Sequence, residues 1–312
     1  MKAIVIEQYG NENEFKEVEM DKPVPKAGQV LIEVKAASVN PLDWKVREGY
    51  LKDRLPLRFP AILGWDAAGV IVETGSGVSA FKKGDAVFAK TETNESGTYA
   101  DYTCIEEEKL AKIPERLSFS EAASVPLACL TAWQVLNDVA DVQDGNNVLI
   151  LGGAGGVGTF AVQIAKHKGA YVAATASEEN QGFLKSIGAD LPIDYKSDNP
   201  ADLLNDVDLI FDLVGGPTAE KALPALKEGG LIVSVAGNPD TEAARSRNIR
   251  TAYHSIQASG RQLQEIAALL QLDMIVPVVT EVLPLTAEGV KQAHQSSQDG
   301  HVRGKLVLNN QK

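Results

Sequence analysis

The sequence predicts an α/β protein in which a doubly wound, six-stranded parallel sheet is joined to a small β-barrel. Three observations predict it. The central half of the chain alternates strand and helix, the rhythm of a parallel sheet with right-handed crossovers. A glycine cluster marks the first strand-to-helix turn of that run. The N-terminal part carries short strands at close spacing with few helices, the texture of a barrel.

The chain has 312 residues, too many for one ordinary core and enough for two domains or for one with a large insertion. Apolar content of 44% and charged content of 23% are those of a globular protein. A formal net charge of −12 argues against nucleic acid, which calls for a basic face, and reads as solubility. Two cysteines, Cys104 and Cys129, make neither a disulfide framework nor a metal cluster, so a reducing cytoplasm is the expected compartment. The opening Met1-Lys2-Ala3-Ile4-Val5-Ile6-Glu7 is too short an apolar run for a signal peptide or a membrane span and reads as a first strand, so no membrane partner is expected.

In the N-terminal part, residues 29–36, 67–73 and 85–89 read as strands, the last announced by the turn signal Gly84-Asp85. Ser118 with Glu121 three places later forms a capping-box pattern, and an apolar helix is expected from about 121 to 139. Beyond it come a strand at 147–151, a helix at 156–168, a strand at 171–176 and a helix at 178–187. Strands at 208–214 and 231–236 follow, and two further elements, 251–256 and 261–272, can complete six strands. The tail from about 276 returns to strand character and closes on Gly304-Lys305-Leu306-Val307-Leu308, which suggests that it rejoins the barrel.

The strongest motif is Gly152-Gly153-Ala154-Gly155-Gly156-Val157-Gly158, with Gly-x-Gly-x-x-Gly at Gly153, Gly155 and Gly158. A strand before it and a helix after it make it a dinucleotide fingerprint; the bland alternative is a tight turn without a ligand. Glycines let the backbone approach a pyrophosphate, whose charge sits on the free N–H groups of the helix end, here those of Gly156 and Val157 among others. An NAD site has Asp or Glu at the end of the second strand, about 20 residues on. Here that position is Ser177, which does not repel a 2′-phosphate, so NADP(H) is favoured over NAD. Glu178 and Glu179 follow at once and read as first-turn residues favoured by the helix dipole. The turn has no Arg or Lys; Tyr195 and Lys196, after the third strand, are candidates to complete the phosphate site. Ligands sit at the carboxyl ends of such strands, which selects Val214 after the fourth strand and Val235, Ala236 and Gly237 after the fifth.

Ser38-Val39-Asn40-Pro41-Leu42-Asp43, Gly64-Trp65-Asp66-Ala67-Ala68-Gly69, Gly84-Asp85-Ala86-Val87, Gly155-Gly156-Val157-Gly158 and the closing Arg303-Gly304-Lys305 together resemble the medium-chain dehydrogenase/reductase superfamily. Within it they are similar to the zinc-independent quinone oxidoreductases, and Asn40-Pro41 with Asp43 and Lys45 looks like the alkenal/enone reductase branch. The resemblance implies a chaperonin-10-like β-barrel catalytic domain formed by residues 1–122 and 273–312, a Rossmann domain at 123–272, and a homodimer. Thr131 matches a family position near the nicotinamide. The positions that bind catalytic zinc in the family's alcohol dehydrogenases are Asn40, Trp65 and Leu127 here, so no metal is expected.

That absence bears on the reaction. Zinc lowers the pKa of bound water from about 15.7 to about 7, and no side chain visible in the sequence replaces it easily for alcohol oxidation. Hydride addition to a quinone or enone makes a delocalised oxyanion that hydrogen bonds can stabilise. The resemblance sets Asn40 facing the nicotinamide, where its amide can bind the substrate carbonyl; a turn-forming Asn before Pro is the alternative. Asp43 can orient the loop or pair with Lys45. Lys45 can donate to the cofactor ribose or the carbonyl, or be a solvated charge. Tyr50 can supply a proton or simply pack, with water as the proton source. Trp65 is expected to shape the substrate pocket. The leading expectation is an NADPH-dependent reductase of a quinone or enone; a non-catalytic NADP(H)-binding sensor or structural protein is the alternative, and an alcohol dehydrogenase is a third.

Overall fold

The computed structural model describes residues 1–92, 97–239 and 241–310. The chain forms two compact units: Met1–Leu130 with Ala258–Asp273 and Pro277–Lys312, and Thr131–Gln257 with Met274–Val276. The second unit is thus inserted in the first. The units divide at 130/131, 257/258, 273/274 and 276/277, where the sequence reading put 122/123 and 272/273.

The second unit holds a six-stranded parallel sheet in the order Leu191–Asp194, Tyr171–Ala176, Asn147–Leu151, Val207–Asp212, Leu226–Ser234, Arg250–Tyr253. The order reverses between Asn147–Leu151 and Val207–Asp212, which opens a crevice at the carboxyl ends of those strands. The strands are apolar runs because both faces are covered: Leu149, Leu151, Ile210 and Ile232 are buried together on one side. Helix Gly156–His167 buries Phe160, Ala161, Ile164 and Ala165. Burying a side chain the size of Phe160 or Ile164 contributes about 1.5–3 kcal/mol.

Of the two elements expected to complete the sheet, the first is the edge strand Arg250–Tyr253, while the second is the helix Gly260–Gln271, which belongs to the other unit. Its apolar residues Leu263, Ile266, Ala267 and Leu270 recur at helical spacing and are buried. The expected helix at 121–139 is also broken. The Ser118–Glu121 capping box starts a helix over Phe119–Ala123, but Pro126, which lacks an N–H and restricts Val125, ends it and begins another over Pro126–Trp133. A π-helical turn follows over Gln134–Val139. Gln134 there holds the chain leaving the edge strand: its Nε2 donates to the Gln257 carbonyl at 2.8 Å, and its Oε1 accepts from Gln257 N at 3.1 Å and from His254 Nε2 at 3.1 Å.

The first unit is built on a mainly antiparallel sheet whose longest strand, Gln29–Val39, pairs with Asp66–Thr74, Tyr102–Glu106 and Lys305–Asn309; among the described residues only Val279–Pro284 pairs in parallel, with Lys305–Asn309. The tail does rejoin the N-terminal sheet, as expected. Register matters here: Ser38 pairs with Asp66, and Leu306 pairs with Val39, so one step further sets Lys305 opposite Asn40. A three-stranded sheet, Lys16–Glu19, Lys2–Ile6 and Ala61–Ile62, lies beside it in the order of pairing. Ile4, Ile6, Val34, Trp65, Leu306 and Leu308 meet in one buried cluster. Among the described residues no helix is long and apolar enough to cross a membrane.

Leu308 is fully buried in the closing strand. Leu308→Ala is expected to lower stability by about 2–5 kcal/mol, read as an earlier thermal transition of this unit; a loss below about 1 kcal/mol would show that the strand is not packed as described.

Candidate active site

In the second unit the glycine turn leaves strand Asn147–Leu151 and enters helix Gly156–His167. Gly152 takes the left-handed φ of 84°, where a side chain is strained. Its N–H donates to Thr175 Oγ1 at 3.0 Å, and Gly153 N donates to the Thr175 carbonyl at 2.8 Å, so the neighbouring strand pins the turn. At Gly158 a Cβ would stand 2.2 Å from the Gly152 carbonyl oxygen, so only glycine lets the helix begin this close to the strand end. At Gly155 the nearest atom to a Cβ would be 3.5 Å away, so no side chain closes the loop. The N–H groups of Gly156, Val157 and Gly158 have no acceptor among the described residues, which is the donor set an anion needs.

Ser177 directly follows the second strand, Tyr171–Ala176. Its hydroxyl donates to Glu179 Oε1 at 3.2 Å and accepts from Asn180 Nδ2 at 3.0 Å. Asn180, which the sequence reading passed over, brings a neutral donor to this turn. Tyr195 lies next to it, its N–H on the Ala176 carbonyl at 3.3 Å and its ring half-exposed. The fourth and fifth strand ends are fastened by two residues that sequence reasoning missed. Asp212 Oδ1 accepts from Val214 N at 3.0 Å and Gly215 N at 2.8 Å, and Asp212 Oδ2 accepts from Ser234 Oγ at 2.6 Å. Ser234 Oγ in turn accepts from Ala236 N and Gly237 N. Val214 is exposed at its strand end, Val235 N donates to the Asp212 carbonyl, and Thr131 is buried in its helix.

In the first unit Asn40 caps the helix Pro41–Arg47 and is almost wholly buried. Its Oδ1 accepts from the Lys305 ammonium, and its Nδ2 donates to Asp66 Oδ2 at 2.9 Å. Asp66 also accepts from Ser38 Oγ at 2.7 Å and, through Oδ1, from Leu127 N at 2.8 Å. Lys305 Nζ donates to the Val39 carbonyl at 3.1 Å and pairs with Asp66 at 3.7 Å. Burial lowers the Lys305 pKa, while Asp66 and Asp43 push it back up.

Asp43 is fully buried behind this group. Its Oδ2 accepts from Asn40 N at 2.7 Å and from the Tyr99 hydroxyl at 2.9 Å, and its Oδ1 has no partner among the described residues. Burial raises its pKa to about 7 against the pull of those two donors. Tyr99 Oη is 3.2 Å from His294 Nε2, and His294 Nδ1 is 3.2 Å from Arg47 Nη1. Arginine can only donate, so Nδ1 accepts and the ring proton lies on Nε2, towards Tyr99. Burial and the neighbouring Arg47 charge hold His294 neutral. Arg47, itself fully buried, is fixed by the Gly10 carbonyl at 3.1 Å, Glu48 at 2.8 Å and Gln298 at 3.0 Å.

Of the sequence candidates in this unit, Asn40 and Asp43 therefore come together. Lys45 sets its ammonium over the Trp44 ring, 5.6 Å from its centroid. Tyr50 is outside the buried group: it is 69% exposed, edge-on to Trp44. Trp65 packs in the apolar core with Leu63 and Tyr99. Asp66 and Lys305 were visible only as members of motifs, and Arg47, Tyr99 and His294 carried no signal. Among the described residues no three His, Cys, Asp or Glu side chains gather where they could hold one metal ion.

Residues 26–115 match the family described as "Alcohol dehydrogenase GroES-like domain", and residues 187–308 match "Zinc-binding dehydrogenase". The chain is 37% identical to 2-methylene-furan-3-one reductase of Solanum lycopersicum, over 99% of this chain and 79% of that protein. It is 36% identical to the chloroplastic NADPH-dependent alkenal/one oxidoreductase of Arabidopsis thaliana, with the same coverage. The structure of the quinone oxidoreductase from Coxiella burnetii superimposes with a TM-score of 0.92 at 38% identity, covering 100% of this chain and 99% of that one. The chain belongs to the medium-chain dehydrogenase/reductase superfamily, in its quinone and alkenal/one oxidoreductase branch.

Proposed function

We propose that the protein is an NADPH-dependent reductase that adds hydride to a quinone or an α,β-unsaturated carbonyl compound without zinc. The observation that carries this reading is the Asn40 amide, whose oxygen is taken by an ammonium and whose Nδ2 has one hydrogen without an acceptor among the described residues. The names of the relatives support the substrate class. NADPH, when bound, supplies the hydride. The N–H groups of Gly156, Val157 and Gly158 would hold its pyrophosphate, and Ser177, Asn180 and Tyr195 its 2′-phosphate. Thr131, Val214, Val235, Ala236 and Gly237 are assigned to its nicotinamide half.

Reduction moves negative charge onto the carbonyl oxygen, and a fixed N–H there stabilises it without reorganising. We assign that donor to Asn40. Lys45 is assigned to the cofactor ribose or the carbonyl, and Trp65 to pocket shape. The proton that completes reduction comes from solvent or from Tyr50. A zinc ion does not suit the residues present. The Asn40 oxygen it would need already accepts from a cation, which repels a second one, and Trp65 and Leu127 offer no side-chain ligand.

NADPH oxidation by the purified protein is expected with quinones or short enals, at undiminished rate after treatment with a chelator. No turnover on either class, despite tight NADPH binding, would favour the sensor reading, and stoichiometric zinc would favour an alcohol dehydrogenase. Ser177→Asp is expected to weaken NADPH by about tenfold or more, about 1.4 kcal/mol, and to shift preference towards NADH; unchanged NADPH affinity would remove Ser177 from the phosphate site. Asp43 gives a pH test. Its carboxyl has a pKa of about 7 in the folded protein, above its ordinary 3.8, so the folded state holds the proton more tightly. The stability this gives is complete below the unfolded pKa and is lost as pH rises through about 7. Asp43→Asn should therefore gain on the wild type by several degrees in melting temperature between pH 5 and pH 8; a difference that stays constant would mean that Asp43 does not change charge in this window.

A further inference from the structure

We propose that Lys305 is a positioning residue for the reduction: its buried ammonium fixes the Asn40 amide in one orientation and strengthens its free N–H as a donor to the substrate oxygen. This rests on the reading of Asn40 given above.

The geometry leaves the amide one arrangement. Lys305 is 4% exposed and stands opposite Asn40 through the sheet register, so its ammonium cannot turn to solvent. Two of its protons go to Asn40 Oδ1 and the Val39 carbonyl, and the charge faces Asp66. Flipping the Asn40 amide would set NH2 against the ammonium and oxygen against the Asp66 carboxylate, two repulsions in place of two attractions. The unflipped amide has one Nδ2 hydrogen on Asp66, and the other has no partner among the described residues. A cation on the carbonyl oxygen draws electron density from the amide, which polarises the remaining N–H. No covalent step passes through Lys305.

Lys305→Met removes the charge but strands the Asp66 carboxylate, so the informative protein is the double variant Lys305→Met/Asp66→Asn, in which neither charge is left alone. Circular dichroism confirms folding. In this variant kcat for quinone or enal reduction is expected to fall about 10- to 100-fold, less than or equal to the loss on removing a direct oxyanion donor. NADPH affinity, read by fluorescence titration, should stay within about twofold, because no cofactor-binding residue is changed. Adding Asn40→Ala to the double variant should cost little more, since both changes remove one function. In the protein without cofactor, labelled with 15N-asparagine, the Asn40 side-chain protons, assigned by their disappearance in Asn40→Ala, should move upfield in the double variant. An unchanged kcat in the double variant, with Asn40→Ala alone impaired, would overturn the role of Lys305 and leave that of Asn40 standing. Full activity in Asn40→Ala would overturn the reading of Asn40 itself. Losses that simply multiply, with unmoved amide protons, would make Lys305 structural.

Discussion

Burying Lys305 beside Asp66 takes two charges out of water, a penalty of several kcal/mol per ion. Their 3.7 Å attraction offsets only part of it, and the rest depends on polar neighbours. Ser38, Leu127 N and Asn40 all donate to Asp66, while Asn40 and the Val39 carbonyl receive Lys305. A hydrophobic pair of the same volume would stabilise the sheet at least as well. What the charges add is direction. They impose one orientation on the amide between them, and the strand register on either side of Gln29–Val39 holds that pair in a buried place.

Behind the pair lies a second buried chain, Asp43, Tyr99, His294 and Arg47, in which each group fixes the next. Arg47 decides the His294 tautomer, His294 turns towards the Tyr99 oxygen, and the Tyr99 hydroxyl is sent to Asp43. Asp43 then holds the backbone N–H of Asn40. Asn40 is thereby set twice, by its side chain from the front and by its backbone from behind. In the second unit Asp212 and Ser234 play a comparable part for the loops at the strand ends, and Thr175 for the glycine turn.

The parts legible in the sequence were those with local signatures. The glycine turn, the strands around it and the Ser118 capping box each rest on residues within a few positions of one another. Asn40 and Asp43 were legible through the family resemblance alone; that they open a helix, Pro41–Arg47, was not read from the sequence. The broken helix after Ser118 was missed because apolar content continues through Pro126 and the π turn, although that proline was a visible stop signal. The burial of Lys305, which was visible only as part of a closing motif, and that of His294 and Arg47 were illegible for a different reason. A charged residue in a sequence ordinarily reads as solvated, and nothing near these three says otherwise. Their burial follows from the docking of elements more than 240 residues apart.

The link between Lys305 and Asn40 closes a loop of 265 positions. While the chain is being synthesised, the strand that leads into Asn40 and the glycine turn both leave the ribosome well before Lys305 does. The last strand must zip onto the edge of a sheet that has waited for it, and such long-range pairing is slow to form. A nascent chain can therefore form the parallel sheet of its second unit before Lys305 exists to meet Asn40, so the two parts of the fold are completed at different times.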